Sequence, residues 1–230
     1  MHLIPVIDLL HGRAVHARRG DRANYHPLSS RLCPTGDPVG LAHRYVDTFA
    51  VRILYVADLD AIMGQGHNQA VIAAIAAGLD GVTLWVDAGI ADADDLCRFT
   101  DRSAGRPVLG SESLTDPALL HRPEARGAVL SLDFHGAQLR GPREMARAPA
   151  SWPPDVILMS LSRVGSQRGP DVERLRTFRR RAPHVRFHSA GGVRDPGDLA
   201  ALKAAGAAGV LVASALHAGT ISPRDHRPPA

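Results

Sequence analysis

The chain has 230 residues, enough for one large domain or two small ones, and 45% of them are hydrophobic, enough for a substantial core. Its net charge of +4 comes almost wholly from arginine, and its 4% of aromatics do not interleave with the basic residues, which argues against a nucleic-acid platform. No apolar run reaches membrane-spanning length, the N-terminus lacks a signal-peptide layout, and the isolated Cys33 and Cys97 read as free thiols of a reducing cytosol. Twelve histidines show no H-x-H spacing and no cluster with the cysteines, so no metal site is expected.

Residues 2–9, H-L-I-P-V-I-D-L, form a continuous apolar run that ends in a carboxylate, as buried parallel strands do. Residues 10–38 show no long periodicity and much Gly, Arg, His and Pro, the composition of a functional loop or of disorder. The spacing of Leu41, Tyr45, Val46 and Phe49 predicts a helix over 39–50. A strand over 52–59 follows, then a helix from about 68 to 77, a strand at 82–87 and a helix opening at Asp92. Residues 107–110 form a short strand, a helix follows Thr115-Asp116-Pro117, and 128–133 is the fifth strand. The Gly-, Arg- and Pro-rich stretch 136–154 holds at most a short helix. Strand 156–160, a helix from about Asp171, strand 185–189, a helix over 195–205 and strand 209–213 complete the series. Arg179-Arg180-Arg181 falls late in its helix, where cations complement the dipole. The tail from Ser222, residues 222–230, is polar and proline-rich and reads as loose.

Eight apolar strands alternating with about eight helices predict a single-domain (βα)8 barrel over residues 1–221. An internal repeat agrees with it. Asp92, Asp95 and Leu96 echo Asp195, Asp198 and Leu199, and Leu109-Gly110-Ser111 echoes Val212-Ala213-Ser214. Asp8-Leu9-Leu10-His11-Gly12 echoes Asp133-Phe134-His135-Gly136 at a slightly different offset. In a barrel the C-terminal ends of the strands share one mouth, so Asp8, Asp58, Asp87, Asp133, Ser160, Ser189 and Ser214 are expected there. At Gly191-Gly192 a strand breaks into a turn before Asp195-Pro196, a cap and a proline at the first helical position. Paired glycines let backbone approach a ligand, and the helix N-terminus behind them suits an anion; a tight turn without a ligand would use the same residues.

In this order and spacing the chain resembles the histidine-biosynthesis barrel family, in particular its ProFAR isomerases, over residues 2–218. The matching pieces are I-P-V-I-D-L at 4–9, Arg19-Gly20-Asp21, A-D-L-D-A at 57–61 with Asn68, and Leu109-Gly110-Ser111. Further matches are S-L-D-F at 131–134, S-A-G-G-V at 189–193 and residues 198–212. The resemblance implies an Amadori rearrangement of a phosphorylated aminoaldose with no cofactor, with Asp8 and Asp133 as base and acid. A terminal Asp can also do no more than order a loop. One implied phosphate site is Gly191, Gly192, Ala213 and Ser214; the other is Gly89, Gly110 and Ser111. Arg19, His16, Asp58, Asp87, Ser160, Arg163 and Ser189 are implied substrate contacts, in a cytoplasmic enzyme whose oligomeric state stays open.

The departures fall at Asp87, where the family has glycine, at Leu161 and Val164, where it has carboxylates, and at His16, where it has arginine. Stretches 15–25 and 58–68 resemble an isomerase-like branch found among methylotrophs and associated with tetrahydromethanopterin-type cofactor synthesis. These features imply a divergent paralogue acting on a substrate with one phosphate. The alternatives are a ProFAR isomerase proper and a sugar-phosphate-binding barrel without turnover.

Overall fold

In the computed structural model, residues 1–17, 25–102 and 105–226 are described. Eight parallel strands close on themselves: β1 (His2–Leu10), β3 (Ile53–Asp58), β4 (Thr83–Asp87), β5 (Arg106–Gly110), β6 (Val129–His135), β8 (Asp155–Ser160), β9 (Arg186–Ala190) and β10 (Gly209–Val212). Closure is made by the last strand returning beside the first, His2 opposite Gly209 and Pro5 opposite Val212. Among the described residues no helix is long and apolar enough to cross a membrane.

The side chains of each strand divide by the period of two. One set, with Ile4, Tyr55, Ala57, Trp85, Val108, Val129, Ile157, Ala190 and Leu211, fills the barrel interior. The alternate set, with Leu3, Ile7, Leu54, Val56, Leu130, Leu132, Val156, Leu158, Phe187 and Val210, packs outward under the helices. Both faces of most strands are therefore largely apolar, which is why the strands read as continuous hydrophobic runs.

The helices are α1 (Pro38–Phe49), α2 (Leu59–Ile62), α3 (Gln69–Ala77), α4 (Ala93–Arg102), α5 (Val172–Arg181), α6 (Pro196–Ala204) and α7 (Ser214–His217). Aspartates cap α1, α5 and α6, and Pro38 and Pro196 follow their caps directly. The expected helix after Pro117 is instead two short 3-10 helices, Pro117–His121 and Pro123–Ala125. Pro123 disfavours helical backbone at Arg122 and supplies no N–H, so the first segment stops there.

Two small antiparallel additions mark the two halves. β2 (Arg13–Val15) folds back on β1, and β7 (Gln138–Leu139) folds back on β6. Each has a two-residue turn, His11-Gly12 in the first and Gly136-Ala137 in the second, with Gly12 and Gly136 at positive φ. The repeated D-x-x-H-G and D-F-H-G stretches thus both turn at a glycine, but at different turn positions. Part of the long first loop is thus fixed: Leu28 N–H donates to Ala14 O, and Ala14 N–H to Gly36 O. At the other end, Ser222 and Asp225 make a capping box around one short turn of the C-terminal segment.

Candidate active site

The strand C-termini surround a cavity of about 910 Å³. Of the sequence-derived site residues, Asp8, His16, Asp87, Gly110, Asp133, Gly191, Gly192, Ala213 and Ser214 line it. Asp8 and Asp133 reach it from β1 and β6, the first and fifth barrel strands, on opposite sides. Arg19 lies outside the described residues.

Asp58, Ser160 and Ser189 end strands but do not line the cavity, and parity is the reason. Each is one residue out of phase with the inward set of its own strand: Tyr55 and Ala57, Ile157 and Met159, His188 and Ala190. Asp8, Asp87 and Asp133 are in phase with Val6, Trp85 and Ser131. Asp58 instead accepts hydrogen bonds from Ala61 N–H and from the backbone and side-chain N–H groups of Asn68. Ser160 Oγ accepts from Arg174 Nη1 at 2.9 Å. Arg163 also lies off the cavity lining, its guanidinium donating to Gly169 O and Pro170 O.

Asp133 is nearly enclosed, with 6% exposure. Its Oδ1 accepts from Ser131 Oγ at 2.6 Å, and its Oδ2 accepts from Ser111 Oγ at 3.1 Å and Glu112 N–H at 3.2 Å. Burial pushes its carboxyl up to about 7; the hydrogen bond from Ser131 opposes that rise, and the charge of Asp87 adds to it. Such a group carries a proton into a reaction near neutral pH. Ser111 is consumed in holding it: the hydroxyl also accepts from Asp133 N–H, and the side chain is fully buried, away from the cavity.

Gly89 is used in a similar way. Its N–H donates to Asp87 Oδ1 at 3.1 Å, its φ is +65°, and a Cβ there would stand 2.7 Å from Ile62 Cα. It does not line the cavity. The side of the mouth where the second phosphate site was expected therefore presents Gly110 flanked by Asp87, Glu112 and Asp133.

The opposite side is built from backbone. Gly191 and Gly192 have φ near +95° and +90°, and a Cβ on either would meet a carbonyl oxygen, Ser160 O at 2.5 Å or Gly169 O at 2.3 Å. The glycine pair is thus demanded by the close approach of neighbouring chain as well as by its own dihedrals. Ala213 and Ser214 complete this side, and Ser214 Oγ lies 3.1 Å from His16 Nε2.

Two residues of this wall, Ser30 and His217, went unread in the sequence, and Tyr45 behind them was read only as a helix position. His217 Nε2 lies 2.8 Å from Tyr45 Oη and its Nδ1 lies 2.9 Å from Ser30 Oγ, while Tyr45 Oη donates to Val6 O. Burial, with the charge of His16 beside it, pushes His217 down to about 4, so it is a neutral imidazole at ordinary pH. The three come from segments far apart in the chain, and no local motif links them.

The fold and this mouth define a class: a (βα)8 barrel with two carboxylates on opposite strands of one cavity. The profile of the family described as histidine biosynthesis protein matches residues 2–222, and the chain belongs to that family. It is 33% identical over 236 residues, 96% of each chain, to the 1-(5-phosphoribosyl)-5-((5-phosphoribosylamino)methylideneamino) imidazole-4-carboxamide isomerase of Thermus thermophilus. A protein of the same name from Salinibacter ruber is 30% identical over 94% of this chain and 88% of its own length. An uncharacterised protein of Methanocaldococcus jannaschii is 31% identical over 96% of this chain and 95% of its own length.

Proposed function

We propose that this protein is an aldose–ketose isomerase acting on an aminoaldose that carries a single phosphate. The observation that carries the reading is the pair Asp8 and Asp133 on one cavity, with Asp133 able to hold a proton near neutral pH. In the proposed reaction Asp133 gives its proton to the ring oxygen as the C1–O bond breaks, leaving an iminium at C1. Asp8 then takes the C2 proton, and the C2–H electrons form the enamine. The enaminol becomes the ketone as C1 gains a proton and the C2 hydroxyl loses one, so no oxidant or cofactor is consumed.

The phosphate is assigned to Gly191, Gly192, Ala213 and Ser214, where backbone approaches the cavity and His16 stands beside the serine hydroxyl. A second phosphate would meet Asp87 and Glu112, and the Gly89 N–H on that side already serves Asp87. These features support a smaller substrate than that of the Thermus relative, whose name contains two 5-phosphoribosyl groups. The resemblance of stretches 15–25 and 58–68 supports placing the enzyme in the one-carbon cofactor branch of the family.

The second reading, a ProFAR isomerase of histidine biosynthesis, is favoured by the 33% identity to the Thermus enzyme across 96% of both chains. One experiment separates the readings. N-substituted 5-phosphoribosylamines with one phosphate, and ProFAR itself, are incubated with the protein in deuterium oxide, and deuterium gained at C1 of the product is read by mass spectrometry. Incorporation into the one-phosphate compounds, abolished in Asp8→Asn and Asp133→Asn, is the expected result. Turnover of ProFAR alone establishes the second reading, and exchange into none of them refutes catalysis of this kind.

A further inference from the structure

Tyr55, Asp87 and Asp133 stand on three inward-facing positions of β3, β4 and β6, around the gap left by Gly110 on β5. Tyr55 Oη donates to Asp87 Oδ2 at 3.0 Å, and Gly89 N–H donates to Asp87 Oδ1 at 3.1 Å. Both bonds favour an ionised Asp87. A Cβ on Gly110 would lie 3.4 Å from Asp133 Oδ2 and 3.7 Å from Asp87 Oδ2, so these two oxygens converge on the same empty point.

Two carboxyl groups that flank one Cβ position repel each other when both are ionised, and the one in the poorer setting for charge holds its proton longer. Asp133 is buried, whereas Asp87 is half-buried and open to the cavity. From this geometry we infer that Asp87 is a positioning residue: its carboxylate, held by Tyr55, adds to burial in keeping the proton on Asp133, so that Asp133 meets the substrate as an acid. The inference rests on the isomerase reading for the use of that proton, but the proton's location does not.

The surroundings of Asp133 agree. β1 brings Asp8 to the same cavity, β3 brings the Tyr55 phenol, the turn after β5 brings Ser111 and Glu112, β6 itself brings Ser131, and β8 sets Met159 opposite Asp133 in register. Among the described residues named here none is a cation. Glu112 also contributes to the raised carboxyl, ranking after Asp87. Asp87 thereby acquires a use in a place where its charge opposes a second phosphate: the position has exchanged anion binding for control of the acid.

The test needs no substrate. The full, ligand-free chain is labelled with 13C at the aspartate side-chain carboxyls and titrated from about pH 4 to 9. The Asp133 and Asp87 signals are assigned by their loss in Asp133→Asn and Asp87→Asn. In the native protein Asp87 is expected to lose its proton at lower pH than Asp133, and Asp87→Asn is expected to lower the Asp133 midpoint by about one pH unit or more. Glu112→Gln is expected to move it less. An Asp133 midpoint unmoved by Asp87→Asn, or an Asp87 signal titrating above Asp133 in the native protein, overturns the inference. Should Asp87→Asn fail to fold, the order of the two native midpoints still decides. Failure of the isomerase reading would appear in the deuterium assay and leave this titration untouched.

Discussion

Asp58 Oδ2 accepts a 2.6 Å hydrogen bond from the backbone N–H of Asn68, and Asp58 Oδ1 accepts a 2.7 Å bond from the Asn68 side chain. Asn68 in turn accepts from Gly12 N–H at 2.8 Å and donates to Asp60, which accepts from His11 N–H at 2.7 Å. One buried polar cluster thus ties the loop after β3 to the turn of the first hairpin. Asp58→Ala would strand the Asn68 donors inside the protein. It is expected to lower stability by about 2–4 kcal/mol, read as a shift of the urea unfolding midpoint. An unchanged midpoint would show that water replaces the cluster freely.

Gly192 is a sharper case. An alanine there meets Gly169 O at 2.3 Å while holding φ near +90°. Strain of this kind costs about 1–3 kcal/mol from the dihedral alone, with the overlap added to it. Gly192→Ala is expected to lower the melting temperature and to weaken inorganic phosphate binding together. Retention of both at native values would mean that the loop carrying Gly169 moves aside at little cost.

At the far end of the barrel, Asp155 accepts from His188 Nε2 at 3.0 Å, from Arg106 at 2.9 Å and from Arg186 at 2.8 Å twice. Burial alone would raise the Asp155 carboxyl, but these bonds outweigh it and hold the group well below the ordinary range. His188 is lowered, with burial prevailing over its bond to Asp155. The signs agree. A depressed carboxyl contributes stability that is present above about pH 4 and lost as pH falls, and a histidine kept neutral opposes folding as pH drops below about 6.5. Unfolding free energy is therefore expected to decline from pH 7 towards pH 3. Asp155→Asn is expected to cost about 2–3 kcal/mol at pH 7, a deficit that begins to shrink only below about pH 4, where the unfolded chain's carboxyl takes up its proton. A deficit independent of pH would refute the electrostatic account.

The strands were legible because both faces of most are largely apolar, and their runs of Val, Ile and Leu need no knowledge of tertiary structure. The carboxylates at their ends were legible as a set, but not in their directions. Counting back from Asp58 to Tyr55 and from Ser160 to Ile157 would have turned both away from the cavity, had the inward residues of each strand been known. The Asp155 cluster and the Tyr45–His217–Ser30 chain were invisible for another reason: each joins residues from distant segments, which only barrel closure brings together. The helix expected after Pro117 failed on a local signal that was present, since Pro123 stood six residues further on.

The two sides of the mouth should differ in their hold on anions. On one, Gly191, Gly192, Ala213 and Ser214 bring backbone to the cavity with His16 beside them; on the other, Asp87 and Glu112 face it. Lys203, the only lysine, is in α6 and does not line the cavity. At an effective dielectric of about 20 and a separation of about 5 Å, a carboxylate repels each unit of phosphate charge by about 3 kcal/mol before screening. That is roughly a hundredfold in affinity per unit of charge. Calorimetric titration with inorganic phosphate is therefore expected to reveal one site per chain, lost in Ser214→Asp and retained in Glu112→Ala. Asp87→Gly, which removes the carboxylate flanking Gly110, is expected to add a second, weaker site. Two equal sites in the unmodified protein would refute the repulsion argument and, with it, the case for a substrate bearing one phosphate.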